Sequence, residues 1–255
     1  MGKLFDLSGR VAFVTGAGSG IGRAVSVGFA RHGADVVCLD VNEDAVEESA
    51  DLVRQEERRA IAATCDVTDV EQLDAVTDRA MAEFQRIDVA FNSVGVSAPA
   101  LALDANPEDW RRTIEVNLVG VFLVCKSVGA VMMTQRKGSI INVGSINSLV
   151  ASQDGRNSAY VASKGGVAAL SRELAIEWAS YNIRVNTIAP IWTKTPMLAG
   201  VMQDEAKINR MISKVPLGRL GEPEDMVGPA VFLASDAASL VTGVILPVDG
   251  GFTAT

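Results

Sequence analysis

Short apolar runs alternate with helical patterns from one end of the chain to the other. Arg10 to Thr15 reads as a buried strand, and so do Ala34 to Asp40, Ala60 to Cys65, Asp88 to Asn92, Gly138 to Gly144, Ile183 to Ala189 and Val244 to Val248. Between them, Gly20 to His32 repeats Ile21, Val25 and Phe29 at helical spacing, and Asn42 to Glu57 is a charged helix. Asp69 is placed to cap a helix carrying Val70, Leu73, Val76, Ala80 and Phe84. A long helical stretch begins near Pro107, and further helices cover Ser158 to Ser180 and Glu222 to Ala234. Strands that are apolar at successive positions must be covered on both faces. The expectation is therefore an α/β fold, a doubly wound parallel sheet of about seven strands with helices on both sides. No linker or repeat divides residues 1–255, which read as one domain. The least patterned stretch, Ile191 to Val215, mixes apolar and charged residues as a substrate lid would.

The composition narrows the class. Of 255 residues, 48% are apolar and 21% charged, which excludes a disordered chain. The net charge of −8 argues against nucleic acid or an anionic membrane as partner, since both call for a basic face. No apolar run is expected to reach the length of a membrane span. Met1 to Asp6 lacks the apolar core of a signal peptide, so a cytoplasmic location is expected. Cys38, Cys65 and Cys125 each sit in an apolar run and read as buried thiols. The single histidine, His32, precedes Gly33 at a helix end and reads as structural, which leaves neither a zinc site nor a Ser-His-Asp triad.

Two segments carry chemistry. Thr15 to Gly22, TGAGSGIG, joins the first strand to the first helix. Glycines there allow a tight turn and a close approach of backbone to a pyrophosphate, whose charge the helix amides then hold; the alternative is a tight turn with no ligand. Asp40 ends the second strand, where a carboxylate accepts from both ribose hydroxyls and repels a 2′-phosphate, pointing to NAD rather than NADP. Its alternative is a turn aspartate, given Asn42 two residues on. At the other end of the sheet, Tyr160 and Lys164 lie four apart on one helix face. An ammonium beside a phenol is expected to lower the tyrosine pKa and fit it for proton exchange with an alcohol. Ser145 stands at the carboxyl end of the fifth strand, where open α/β sheets bind ligands. Asn117, between Val116 and Leu118, is a buried amide that needs partners.

Together these residues resemble the short-chain dehydrogenase/reductase family from Leu7 to Phe252, a Rossmann-type fold. The matching segments are Thr15 to Gly22, Asp66-Val67, Asn92 to Gly95, Asn117, Gly144-Ser145, Tyr160 with Lys164, Arg184 to Asn186 and Val248 to Gly251. The resemblance implies an oxidoreductase interconverting a secondary alcohol and a ketone, with Tyr160 as acid/base and Ser145 steadying the substrate oxygen. Lys164 would hold the nicotinamide ribose, and Asn117 a water in a proton relay. Cofactor contacts would come from Gly16, Ser19, Gly20, Ile21, Asp40, Asp66, Val67, Asn92, Gly95, Pro190, Ile191, Thr193 and Thr195 besides Tyr160 and Lys164. A homotetramer is implied, using the small residues of the helix from Ser158 and the tail Val248 to Phe252. Ile191 replaces the family's usual glycine and threatens to crowd the nicotinamide. The lengthened loop Ser148 to Ser158 is similar to that of members acting on polyols. Substrate contacts are expected from Ser145, Asn147, Arg156, Tyr160 and Trp192, with Val96, Gln153 and Asn157 nearby. A polyol or sugar-like alcohol leads; a 3-oxoacyl thioester or cyclic ketone reductase is the alternative, and a non-catalytic dinucleotide-binding regulator the alternative of another class.

Overall fold

The computed structural model describes residues 4–254. Seven strands form one sheet: β1 (Val11–Thr15), β2 (Asp35–Asp40), β3 (Ala60–Thr64), β4 (Val89–Asn92), β5 (Gly138–Val143), β6 (Ile183–Pro190) and β7 (Ile245–Val248). Their order is β3-β2-β1-β4-β5-β6-β7, and every neighbouring pair is parallel. The period of two along each strand splits the core into two layers. Val11, Phe13, Val37 and Leu39 join one apolar cluster, while Ala12, Val14, Val36 and Cys38 join the other. The first layer is covered by α3 (Val70–Phe84), α5 (Val121–Gln135) and α6 (Ser158–Glu177), the second by α1 (Gly20–Arg31), α2 (Glu43–Gln55) and α8 (Val227–Ala234). Strand order reverses at β1, which pairs with β2 on one side and β4 on the other, so a crevice opens at the carboxyl ends of these strands.

Local chemistry sets the helix starts. Asn42 accepts from the Ala45 amide at 3.0 Å, Asp69 from that of Gln72 at 3.1 Å, and Asn106 caps α4 (Pro107–Ile114) just before its proline. His32 ends α1 with its Nδ1 2.8 Å from the Gly28 carbonyl. Two expectations are corrected. The helical run Pro107–Gln135 is interrupted: a π turn at Glu115–Gly120 separates α4 from α5. The same 29-residue run is, by length and composition, apolar enough to cross a membrane, and half of its most apolar part is buried. Val121, Val124, Cys125, Val128 and Met132 of this run pack into the core beneath the sheet. The stretch Ile191 to Val215 also holds more order than its pattern predicts, since α7 (Glu205–Ile212) forms within it behind an Asp204 cap.

Candidate active site

The turn after β1 is built from close backbone contacts. Gly16 has φ +64°, and a Cβ there would lie 3.0 Å from the Ser93 carbonyl carbon. A Cβ on Gly22 would meet the Gly16 carbonyl oxygen at 2.0 Å, so strand and helix close to a distance only glycine permits. Ser19 is the N-cap residue of α1, but its side chain caps no amide. The first-turn amides of α1 are thus left for an anion. Asp40 accepts from the Gly18 amide at 2.9 Å and from the Asn42 amide at 3.1 Å. The turn role and a place on the cavity wall therefore belong to the same carboxylate. Asp66 is fixed by the amide and hydroxyl of Thr68 and by Arg112 at 3.3 Å; burial pushes its pKa up, but these bonds outweigh it and hold the carboxyl below its ordinary range.

At the chemical end, α6 sets Tyr160 and Lys164 one turn apart, with the Lys164 ammonium 5.6 Å from the tyrosine ring centroid. Lys164 is buried and donates to the Val143 carbonyl at 2.7 Å. Ser148 ties the Ser145 loop to α6, accepting from the Ser145 amide at 3.2 Å and donating to the Lys164 carbonyl at 2.8 Å. The electrostatics correct the expectation of a lowered tyrosine pKa. Burial pushes the Tyr160 phenol above its usual value, with the Ser145 hydroxyl pulling the other way, and burial brings Lys164 down to about 8. Desolvation of the phenol is the larger effect, with the Lys164 ammonium held at the Val143 carbonyl.

Asn117 is fully buried within the π turn. Its Oδ1 accepts from the Val96 amide at 2.8 Å, and its Nδ2 donates to the Val96 carbonyl at 2.9 Å and to Ser163 Oγ at 3.2 Å. Three of its four hydrogen-bonding positions are thus taken by protein, and the side chain fixes the strand-end loop at Gly95 and Val96. π turns recur at functional sites for this kind of local re-aiming. Asn92 lies beneath the cavity wall, donating to Asn142 Oδ1 at 2.8 Å, with its own buried Oδ1 unpartnered.

Ile191 lines the cavity beside Pro190 but turns most of its surface into the protein. Its amide continues the sheet, donating to the Val248 carbonyl at 3.1 Å, and its side chain is buried with Ile146, Val215 and Phe252. Trp192 packs edge-on against Phe252 at 5.2 Å between ring centroids. Thr193 turns its hydroxyl to the Ile191 carbonyl at 2.8 Å, while Thr195 packs on Gly20, whose added Cβ would meet it at 2.9 Å.

One cavity of about 1360 Å³ joins these parts. Gly16, Ser19, Gly20, Ile21, Asp40, Asp66 and Val67 line one end, Gly95, Ser145, Tyr160, Lys164, Pro190, Ile191, Thr193 and Thr195 the middle, and Asn147, Arg156 and Trp192 the rest. Asn92 and Asn117 stand behind the wall and shape it. Sequence reasoning missed Arg112, and reached Met197, Lys207, Arg210, Met211 and Lys214 only as parts of the lid segment. For the last four, the signal was a one-sided spacing within the lid segment, too short to stand out. The cysteines lie free and buried, and burial pushes their thiols up to about 12, 11 and 12 for Cys38, Cys65 and Cys125.

An extended ligand with a central pyrophosphate fits this cradle: uncapped helix amides beside glycines without room for a Cβ, a ribose carboxylate at one end and an acid–base set at the other. Comparison with known proteins agrees. A family described as enoyl-(acyl carrier protein) reductase matches residues 16–253. The chain is 43% identical to a cis-4-hydroxycyclohexanecarboxylate dehydrogenase of Sinomonas cyclohexanicum over 100% of both chains. It is 39% identical to a D-threitol dehydrogenase of Mycolicibacterium smegmatis over 98% of this chain and 95% of the relative. A solved gluconate 5-dehydrogenase of Burkholderia cenocepacia, in complex with NADP and tartrate, superposes with a TM-score of 0.95 at 35% identity, covering 100% and 99% of the two chains. With its parallel seven-stranded sheet, glycine turn and Ser145–Tyr160–Lys164 set, the chain belongs to the short-chain dehydrogenase/reductase family of nicotinamide-dependent oxidoreductases.

Proposed function

We propose that the chain is an NAD-dependent dehydrogenase that interconverts a secondary alcohol and a ketone on a polyol or sugar-like substrate. The observation that carries this is the placement of Ser145, Tyr160 and Lys164 in the same cavity as Asp40. When bound, nicotinamide supplies the hydride acceptor or donor. The chain's own groups handle the proton. Tyr160, at its oxygen, takes the alcohol proton during oxidation and returns it during reduction. Ser145 holds the substrate oxygen by its hydroxyl. Lys164, anchored on Val143, faces the phenol with positive charge, and Asn117 holds the Gly95–Val96 wall in register. Asp40 favours NAD because a 2′-phosphate would meet its carboxylate, and the residue that follows it, Val41, brings no positive charge.

Polar Asn147, Gln153, Arg156 and Asn157 at the cavity mouth support a hydroxylated substrate. Val96, Ile146 and Trp192 favour a cyclic alcohol as the second reading. A homotetramer is supported by an unpartnered face of α6, where Ala162, Gly165 and Ala169 are followed by Ile176 at 78% exposure. Three buried, unpaired thiols suit the reducing cytoplasm. The test is NADH formation across polyols, sugar acids and cyclic secondary alcohols, with NAD against NADP. Polyhydroxylated, sugar-like substrates should lead over simple cyclic alcohols, and kcat/KM should favour NAD by at least about tenfold, ~1.4 kcal/mol. Equal rates with both cofactors would remove the role given to Asp40, and Asp40→Ala should narrow the preference.

A further inference from the structure

The cavity has a basic wall that neither the dinucleotide cradle nor the acid–base set uses. Lys207, Arg210 and Lys214 recur at intervals of three and four on and just past α7, which places them on one side of the helix. All three line the cavity, and Arg156 lines it from the loop that follows Ser145. The two elements meet there, since Lys214 Nζ donates to Gln153 Oε1 at 2.6 Å. Lys207 pairs with Asp204 at 3.2 Å. Among the described residues no carboxylate pairs with Arg156, Arg210 or Lys214. Asp154, the acidic residue of the same loop, accepts from the Arg156 amide at 3.3 Å.

This concentration runs against a chain of net charge −8. The helix dipole accounts for Glu205 in the first turn and Arg210 in the last. It does not account for Lys207 near the N-terminus of α7, nor for Arg156 on a different element. Unpaired cations gathered at one cavity mouth repel each other, and an anion arriving between them relieves that repulsion. Their position identifies whose anion it is. Arg156 and Gln153 belong to the loop that leads from Ser145 to Tyr160, whereas Asp40 and Asp66, to which the proposed function assigns the adenosine end, follow β2 and β3.

We propose that the substrate carries an anionic group, a carboxylate or a phosphate ester, remote from its reacting hydroxyl, and that Arg156 and Lys214, with Arg210 of the same cavity wall, hold it. This rests on the proposed reaction for the reacting end only. The cations would set which alcohol is accepted and draw it in from solution, and α7 would close on it by charge as well as by apolar contact.

The experiment compares matched pairs: D-gluconate with D-glucitol, and a hydroxycyclohexanecarboxylate with its carboxamide, plus glucitol 6-phosphate as the phosphate arm. Two readouts are taken, kcat/KM with NAD, and calorimetric affinity of each compound for the NADH complex. The anion of at least one pair should exceed its neutral partner about tenfold in both readouts, and the advantage should shrink as salt is raised. In Arg156→Gln/Lys214→Gln the ratio should fall to about unity. Preferential binding of an anion without turnover, abolished by the double variant, upholds the anion site while overturning the proposed reaction on these alcohols. Equal binding and turnover within every pair, or no binding of any compound, overturns the proposal. So does a double variant that raises the KM for NAD with the ratio unchanged, since the cations would then serve the cofactor phosphates.

Discussion

Lys164 shows what the site costs. A buried ammonium whose pKa falls from 10.5 to about 8 is carried at about 3 kcal/mol by the fold. Its folded pKa lies below the unfolded one, so between pH 8 and 10.5 the native state binds fewer protons than the unfolded chain. The burden is present at pH 7 and is relieved as pH rises through that window. Lys164→Met has no such burden at any pH. The stability difference between variant and wild type should therefore move by about 2.5 kcal/mol in the variant's disfavour from pH 7 to pH 10, read by denaturant melts at both values. A constant difference would show that Lys164 does not titrate there. Tyr160 is raised by burial, so alcohol oxidation, which needs the phenol to take a proton, should keep accelerating with pH above 8. Tyr160→Phe keeps the ring and loses the transferable proton. It should retain NAD binding by fluorescence and lose roughly 10²–10⁴-fold in turnover. More than a tenth of wild-type activity would assign the proton to another group.

The elements differ in how firmly they are held. The glycine turn is locked by backbone contacts, and Asn117 locks the loop after β4 from within a π turn. The segment from Trp192 to Val215 is tied at its base, where Gly221 donates to Trp192 and Lys194 donates to Gly221. Beyond that base α7 has no fully buried residue. A short helix without a buried face depends on what it closes over. The amides of α7 should exchange quickly in the free protein and slow with NAD plus a substrate analogue bound, as hydrogen exchange will show. Equal protection in both states would make it a fixed wall.

At the scale of the molecule, the two faces of the sheet are fully used and apolar surface remains outside them. Phe122 is 44% exposed on α5 and Ile176 78% on α6. A Cβ on Gly165 would meet open space, whereas one on Gly166 would strike Leu118. The inner side of α6 is thus packed and the outer side is smooth enough for a second helix. Light scattering should give a tetramer of the 26.8 kDa chain at micromolar concentration, and Ile176→Lys should shift it to smaller species. A wild-type monomer at that concentration would leave the face unexplained.

The pattern of residues determined the order of strands and helices, because a buried strand and an amphipathic helix each leave a period that no later event changes. It also determined the glycine turn and the Tyr160–Lys164 spacing, since both depend on neighbours close in the chain. Three things were decided only by the folded chain. Asn117 reads as one amide in an apolar run, and its meaning comes from Val96 and Ser163, which approach it across two other elements. Ile191 reads as a branched side chain at the nicotinamide, and its setting in the cavity wall comes from Ile146, Val215 and Phe252, which converge on it. Arg156 reads as a substrate contact and Lys214, 58 positions on, as one charge of the lid segment; they become one wall because the loop after β5 folds against the turn after α7. Desolvation has the same origin. The pKa of Tyr160 depends on how much water the assembled walls exclude, and that quantity exists only in three dimensions.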